Sequence, residues 1–152
     1  MTPKLPSRGT LLRRAWDLLA AAHVRLYRLT RGRLVGRYRR GSRILLLEHT
    51  GRRSGRVRTL PLVYVPHGDD LVVVAAAGAS DEHPQWFLNL REHPAAEVTV
   101  GAERRPVTAR VASPAEKEAL WPKLIERNPT WEGYRKRTER DIPVVLLEPR
   151  GR

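Results

Sequence analysis

At 152 residues the chain is long enough for one domain with a sizeable core, and it carries a formal net charge of +13 with no cysteine. The missing thiols exclude disulfides, cysteine-based zinc sites and thiol catalysis, and make the cytosol the default compartment. The charge is lopsided: residues 1–58 hold 16 basic and 2 acidic side chains, residues 59–152 hold 13 and 14, so the high isoelectric point belongs to the N-terminal part alone.

Residues 1–9 are rich in Pro, Gly and Ser and read as a flexible start. Thr10 can cap a helix running to about Leu29, on which Leu12, Trp16, Leu19, His23 and Leu26 form a mostly apolar stripe with Tyr27 beside it. Arg13, Arg14, Asp17, Arg25 and Arg28 fall opposite, and the charges interrupting this stretch exclude both a signal peptide and a membrane-spanning helix. A Gly- and Arg-rich connection follows to residue 42. Residues 43–49 and 58–65 read as apolar strands around a glycine-punctuated loop at 50–57, and turn residues 66–70 lead into a third strand at 71–77.

After a loop at 78–84, Pro84 can start a short helix over 85–91, with Trp86 and Leu90 on one face. Strands at 97–100 and 104–112 flank the Gly101-Ala102 turn. Ser113, Pro114 and Glu116 have the spacing of a capping box, so a helix begins there, and Pro122 is expected to kink or break it. A short helix at 131–138 and a last strand at 142–148, with Pro143 favouring a strand start or sheet edge, complete the chain. Six strands without regular strand–helix alternation argue for a mainly antiparallel, partly closed barrel with helical additions. The domain division is a flexible 1–9, a helix and basic connection at 10–42, and a barrel domain at 43–149.

The loop Thr50-Gly51-Arg52-Arg53-Ser54-Gly55-Arg56, followed by Arg58 and Thr59, carries the strongest chemical signal. Its glycines permit tight turns, and its guanidiniums and hydroxyls suit phosphate or carboxylate groups. It is neither a Walker loop nor a dinucleotide fingerprint, since no helix follows it. A solvated, Arg-rich hairpin is the plain alternative. The five histidines have no close metal-ligand spacing, so no metal site is expected.

The run LLLEHTGRRSGRVRTLPLVYV, the Val-Ala stretch after it, HPQWFLNLREHP and the terminal YRKRTERDIPVVLLEP together resemble the deazaflavin-dependent nitroreductase family, as does the upstream HVRLYRLTRGRLVGR. The resemblance covers roughly 125 residues. It implies a split β-barrel of the FMN-binding, pyridoxamine-phosphate-oxidase-like type, preceded here by the amphipathic helix, and coenzyme F-420 as cofactor, with FMN as the alternative. By resemblance, Arg52, Arg53, Ser54, Gly55, Arg58 and Thr59 match the residues holding the cofactor's phosphate and acidic tail, and Pro61 and Leu62 lie beside its path. Ala75, Ala76, Ala77, Gly78 and Ala79 match the segment bordering the deazaflavin ring, where the family often has Ser at the position of Ala76 and Gly at that of Ala79. Trp86 and Asn89 support the cofactor site. Tyr64, Trp131 and Tyr134 match substrate-lining positions, and Tyr134 is the candidate catalytic proton donor.

The implied reaction is hydride transfer from the reduced coenzyme to an electrophilic small molecule: a quinone, an activated alkene or a nitro compound. A nucleic-acid-binding module is the rival class. It is disfavoured because Tyr38 is the only aromatic between Arg31 and Arg58 and no recognition framework is present. Residues 10–43 offer an amphipathic, Arg-rich face to an anionic membrane, which would place the protein in the cytoplasm and peripherally on the inner face of the plasma membrane. Related barrels often pair, which leaves a homodimer open.

Overall fold

The computed structural model describes residues 11–38 and 42–151. The expected flexible segment 1–9 and the Thr10 cap lie outside these residues. Helix α1 spans Leu11–Thr30, and six strands follow: β1 (Arg43–Thr50), β2 (Val57–His67), β3 (Asp70–Val74), β4 (Ala95–Val100), β5 (Glu103–Val111) and β6 (Val144–Pro149). Helix α2 (Gln85–Glu92) separates β3 from β4, and α3 (Pro114–Arg127) and α4 (Thr130–Arg135) separate β5 from β6.

All strand pairings are antiparallel, and the order β1-β2-β3-β6-β5-β4 returns to β1 through its pairing with β4. The barrel is therefore closed, where the sequence suggested partial closure: every strand pairs with two neighbours, although the β1–β4 ladder spans only Leu46–Glu48 and the β2–β3 ladder only Tyr64–His67.

Closure explains why several strands read as continuous apolar runs. Leu45 and Leu47 of β1, Leu71 and Val73 of β3, and Val145 and Leu147 of β6 point into the barrel. Their neighbours point outward and are also covered: Ile44 and Leu46 by Val24 and Tyr27 of α1, and Val72, Val74, Val144 and Leu146 by Leu120, Trp121, Leu124 and Trp131 of α3 and α4. Trp86, Phe87 and Leu90 of α2 join the interior cluster. A strand buried on both faces has no solvent side to mark with polar residues.

Several boundaries moved. β3 stops at Val74 because the backbone turns to positive φ at Ala77 (48°) and Gly78 (62°), forming a 3-10 turn over Ala77–Ala79. α3 runs unbroken past Pro122, since Glu118, whose carbonyl would have accepted from residue 122, is exposed to water. Its start is the expected capping box: the Glu116 N–H donates to Ser113 Oγ and the Ser113 N–H donates back to Glu116 Oε2. Pro143 lies just ahead of β6, and its carbonyl accepts from the Ala75 N–H.

The barrel covers little of α1: only Val24 and Tyr27 are buried, while Leu12, Trp16, Leu19 and Leu26 of the apolar stripe are exposed. The barrel touches the Val24–Tyr27 side, roughly the flank of that stripe at 100° per residue. The leucine-rich side thus faces outward: Leu18 is 72 % exposed and Leu29 83 %.

Candidate cofactor and active site

The arginine loop is a closed, six-residue turn between the paired Thr50 of β1 and Val57 of β2. The Gly51 N–H donates to Arg56 O and the Gly55 N–H to Gly51 O, both at 2.8 Å. Gly55 takes φ +66°, and a Cβ on Gly51 would sit 2.6 Å from Ser54 Oγ. Backbone conformation thus favours glycine at 55, while at 51 a side chain would displace the Ser54 hydroxyl.

Asn89 of α2 staples this loop to the barrel. Its Oδ1 accepts from the Arg52 N–H at 3.1 Å and from Arg52 Nη1 at 2.9 Å, and Nη1 also donates to Gln85 Oε1 at 3.0 Å. The Asn89 amide Nδ2 lies 3.2 Å from Nδ1 of His49, which is 4 % exposed. Burial, and secondarily the Arg58 charge, push the His49 pKa down to about 4. The ring is neutral at physiological pH; with Asn89 donating into Nδ1, its proton sits on Nε2.

Arg52 is thus committed inward. Arg53, Arg56 and Arg58 are exposed and have no carboxylate within ion-pair distance among the described residues. Three uncompensated guanidiniums on a rigid loop, with the Ser54 and Thr59 hydroxyls nearby in sequence, fit the anionic tail expected from the sequence.

β2 leads away from this loop. Leu60, Leu62 and Tyr64 face the barrel interior, whereas Val63 packs in the outer clusters and Thr59 and Pro61 alternate onto its side. Tyr64, a substrate-lining candidate in the sequence, is 3 % exposed inside the barrel, and the partly buried Leu62 packs on the same interior cluster. Trp86 is a core residue of the barrel interior.

The expected ring-side and substrate-side residues do come together. Ala76, Trp131 and, partly buried, Val63 and Tyr134 share one outer cluster, and α4 packs against the 77–79 turn. Trp131 is buried in that cluster, while Tyr134 is half-buried with the Arg137 guanidinium 5.2 Å from its ring centre. Arg58 pairs with His49 and shares its face, opposite to that of Val63; between Arg58 and Val63 the strand advances roughly 17 Å at 3.4 Å per residue. A ligand using both regions must be elongated, anionic at one end and planar or apolar at the other.

Sequence reasoning missed Arg140. Its guanidinium donates to the carbonyls of Ala75, Ala76 and Ser80 and to His83 Nδ1. Nothing in the run RKRTERD distinguishes it from its basic neighbours, because its acceptors lie some 60 residues earlier in the chain. It missed Gln85 for the same reason.

Known proteins resemble this chain over most of its length. The family described as F420H(2)-dependent quinone reductase matches residues 19–149. Among curated relatives, Rv3178 of Mycobacterium tuberculosis, named provisionally for that activity, is 40% identical over 118 residues, covering 78% of this chain and 99% of its own. The F420H(2)-dependent quinone reductase Rv1261c of the same organism is 36% identical over 135 residues, covering 87% and 91%. Among solved structures, an F420-H2 dependent reductase called FDR-A superposes with a TM-score of 0.64 at 34% identity, covering 69% of this chain and 93% of its own. A structure described as a domain-swapped dimer reaches 0.67 at 30% identity, covering 88% and 99%. Matched by that family over residues 19–149 and at 36–40% identity to curated relatives that it covers almost end to end, the chain belongs to the F420H(2)-dependent quinone reductase family.

Proposed function

We propose that this protein is a coenzyme F-420-dependent oxidoreductase that reduces a small electrophile, a quinone first among candidates, with the anionic tail held by Arg53, Arg56 and Arg58. The observation that carries this reading is the set of uncompensated guanidiniums, roughly 17 Å along β2 from the Ala76–Trp131–Tyr134 cluster. When bound, the reduced deazaflavin supplies a hydride from its ring carbon.

The chain's own residues do the rest. Ser54, Gly55 and Thr59 add neutral donors to the loop. Arg52 and Asn89 hold that loop against α2 and β1 rather than touching the tail. Pro61 and Val63 form an apolar path on the outer face of β2, and the backbone from Ala75 to Ala79 borders the ring site. The buried methyls of Ala75 and Ala76 anchor that border in the two cores. Trp131 shapes the substrate side, and Tyr134 Oη is the proton source that completes reduction.

Fluorescence titration with oxidised F-420, with FMN as comparator, tests the assignment. Tight binding of F-420 and weak binding of FMN are expected. Preference for FMN would change the chemistry while keeping the barrel, and binding of neither would overturn the enzyme reading.

The outward face of α1 supports a second element of function. Leu18, Ala22, Leu26 and Leu29 lie along one exposed side with Arg25 beside them. No helix among the described residues is long and apolar enough to cross a membrane. An apolar stripe flanked by cations matches an anionic bilayer surface, so the protein works in the cytoplasm, peripherally on the inner face of the membrane, where lipid-soluble quinones reside. Sedimentation with vesicles containing anionic lipid is expected to capture the wild type and not the Leu18→Glu/Leu26→Glu variant. Equal capture would reject α1 as the anchor, and dissociation of a dimer by the same double substitution would assign the face to a second copy instead.

A further inference from the structure

Arg140 lies four residues before β6 and reaches back to residues 75–83. Nε donates to Ser80 O at 3.0 Å, Nη2 to Ala76 O at 2.9 Å, and Nη1 to Ala75 O at 3.2 Å and to His83 Nδ1 at 2.8 Å. No carboxylate pairs with it directly among the described residues; Asp141 and Asp81 act on it only at longer range. A guanidinium that spends its fork on these three carbonyls and an imidazole, with the neighbouring Asp141 carbonyl at a longer 3.4 Å, rather than on a carboxylate, fixes the segment's geometry in four directions at once.

The segment it grips needs such a hold. Ala77 sits at φ +48°, a region costly for any residue with a Cβ, and Gly78 follows at +62°. Such a conformation persists where the surroundings over-determine it. The Ala75 and Ala76 side chains are fastened in the cores on either side of the sheet, and Arg140 fastens their carbonyls. Because Nη1–H points at Nδ1, His83 carries its proton on Nε2. Burial, then Arg140 and Arg91, lower the His83 pKa against the opposing pull of Asp141, so the ring stays neutral.

We propose that Arg140 is a positioning residue for hydride transfer: it holds the strained 75–80 backbone beside the ring site and fixes His83 as a neutral hydrogen-bond donor through Nε2. This rests on the deazaflavin reading given above. Lysine at this position would keep the charge but lose the planar fork, and methionine would lose both.

The test compares wild type with Arg140→Met and Arg140→Lys. In ligand-free protein, amide exchange at residues 76–80 is expected to accelerate about tenfold or more in Arg140→Met, while β1 and β6 amides keep their rates. The His83 titration, followed by NMR, moves upward, with Arg91 and Asp141 still in place. With F-420 bound, affinity stays within about threefold because the arginine loop is untouched, whereas single-turnover hydride transfer to a saturating quinone falls about thirtyfold or more. Added ethylguanidinium recovers part of that rate in Arg140→Met, which a loss of overall stability would not allow. An unchanged transfer rate in a folded variant overturns the proposal. Should Arg140→Met not fold, Arg140→Lys takes the exchange and transfer-rate measurements with the same expected directions, the His83 titration being judged only in Arg140→Met because lysine keeps the charge. Failure of the wild type to bind F-420 would overturn the functional reading instead; exchange and the His83 titration then still judge the clamp.

Discussion

Tyr27 decides where the N-terminal helix sits. Its ring is buried, its hydroxyl donates to Ile44 O at 2.9 Å, and it accepts from the Gly101 N–H at 2.8 Å. One phenol thereby ties α1 to β1 and to the β4–β5 turn. Gly32 lies against the same ring, where a Cβ would come within 3.0 Å of Cζ. Tyr27→Phe keeps the ring but orphans a buried carbonyl and an N–H, so urea unfolding is expected to show a loss of about 1–3 kcal/mol. An unchanged midpoint would mean that water replaces the hydroxyl. In the sequence Tyr27 stood only beside the apolar stripe. The helix carries more apolar surface than the barrel covers, and periodicity alone does not say which part is covered.

Among the elements, the arginine loop separates two kinds of cation that look alike in sequence. Arg52 is an internal brace bonded to Gln85 and Asn89, whereas Arg58 is exposed and unpaired among the described residues. Arg52→Met is expected to lower stability by about 1–3 kcal/mol by stranding the Asn89 and Gln85 acceptors. Arg58→Met should leave stability within about 0.5 kcal/mol. It should also weaken F-420 binding roughly tenfold, with a shallower salt dependence. Thermal unfolding and fluorescence titration distinguish the two; the reverse pattern would exchange their roles. The loop was recognisable because glycines and arginines alternate between two apolar strands. The division of labour was not, because it depends on α2 arriving from some 35 residues later. α3 shows the opposite case: its capping box is local and was legible, and only the tolerance of Pro122 required knowledge of where water lies.

For the whole molecule, closure of the barrel buries His49 and sets the pH range of stability. Unfolded, the imidazole protonates near its ordinary 6.5; folded, it resists until about 4. Below pH 6.5 the unfolded state therefore binds more protons, and stability falls as pH drops to about 4, by on the order of 3 kcal/mol in total. His83 shifts in the same direction and adds to the slope. Urea midpoints between pH 7.5 and 4.5 are expected to decline in wild type and to decline less in His49→Gln. A flat wild-type profile would show that His49 is protonated without cost in the fold.

The sequence alone determined the strands, the arginine-rich loop and the family, because apolar runs, turn glycines and capping boxes are written within a few residues of one another. Tertiary structure alone decided that the barrel closes, through the short β1–β4 ladder. It turned Tyr64 and Leu62 inward, set Arg52 to brace its loop against α2, and left most of the apolar surface of α1 uncovered. It also brought Arg140 to a backbone 60 residues away. Each of these depends on which face of an element another element reaches, and that is fixed by packing across the chain rather than by any local pattern.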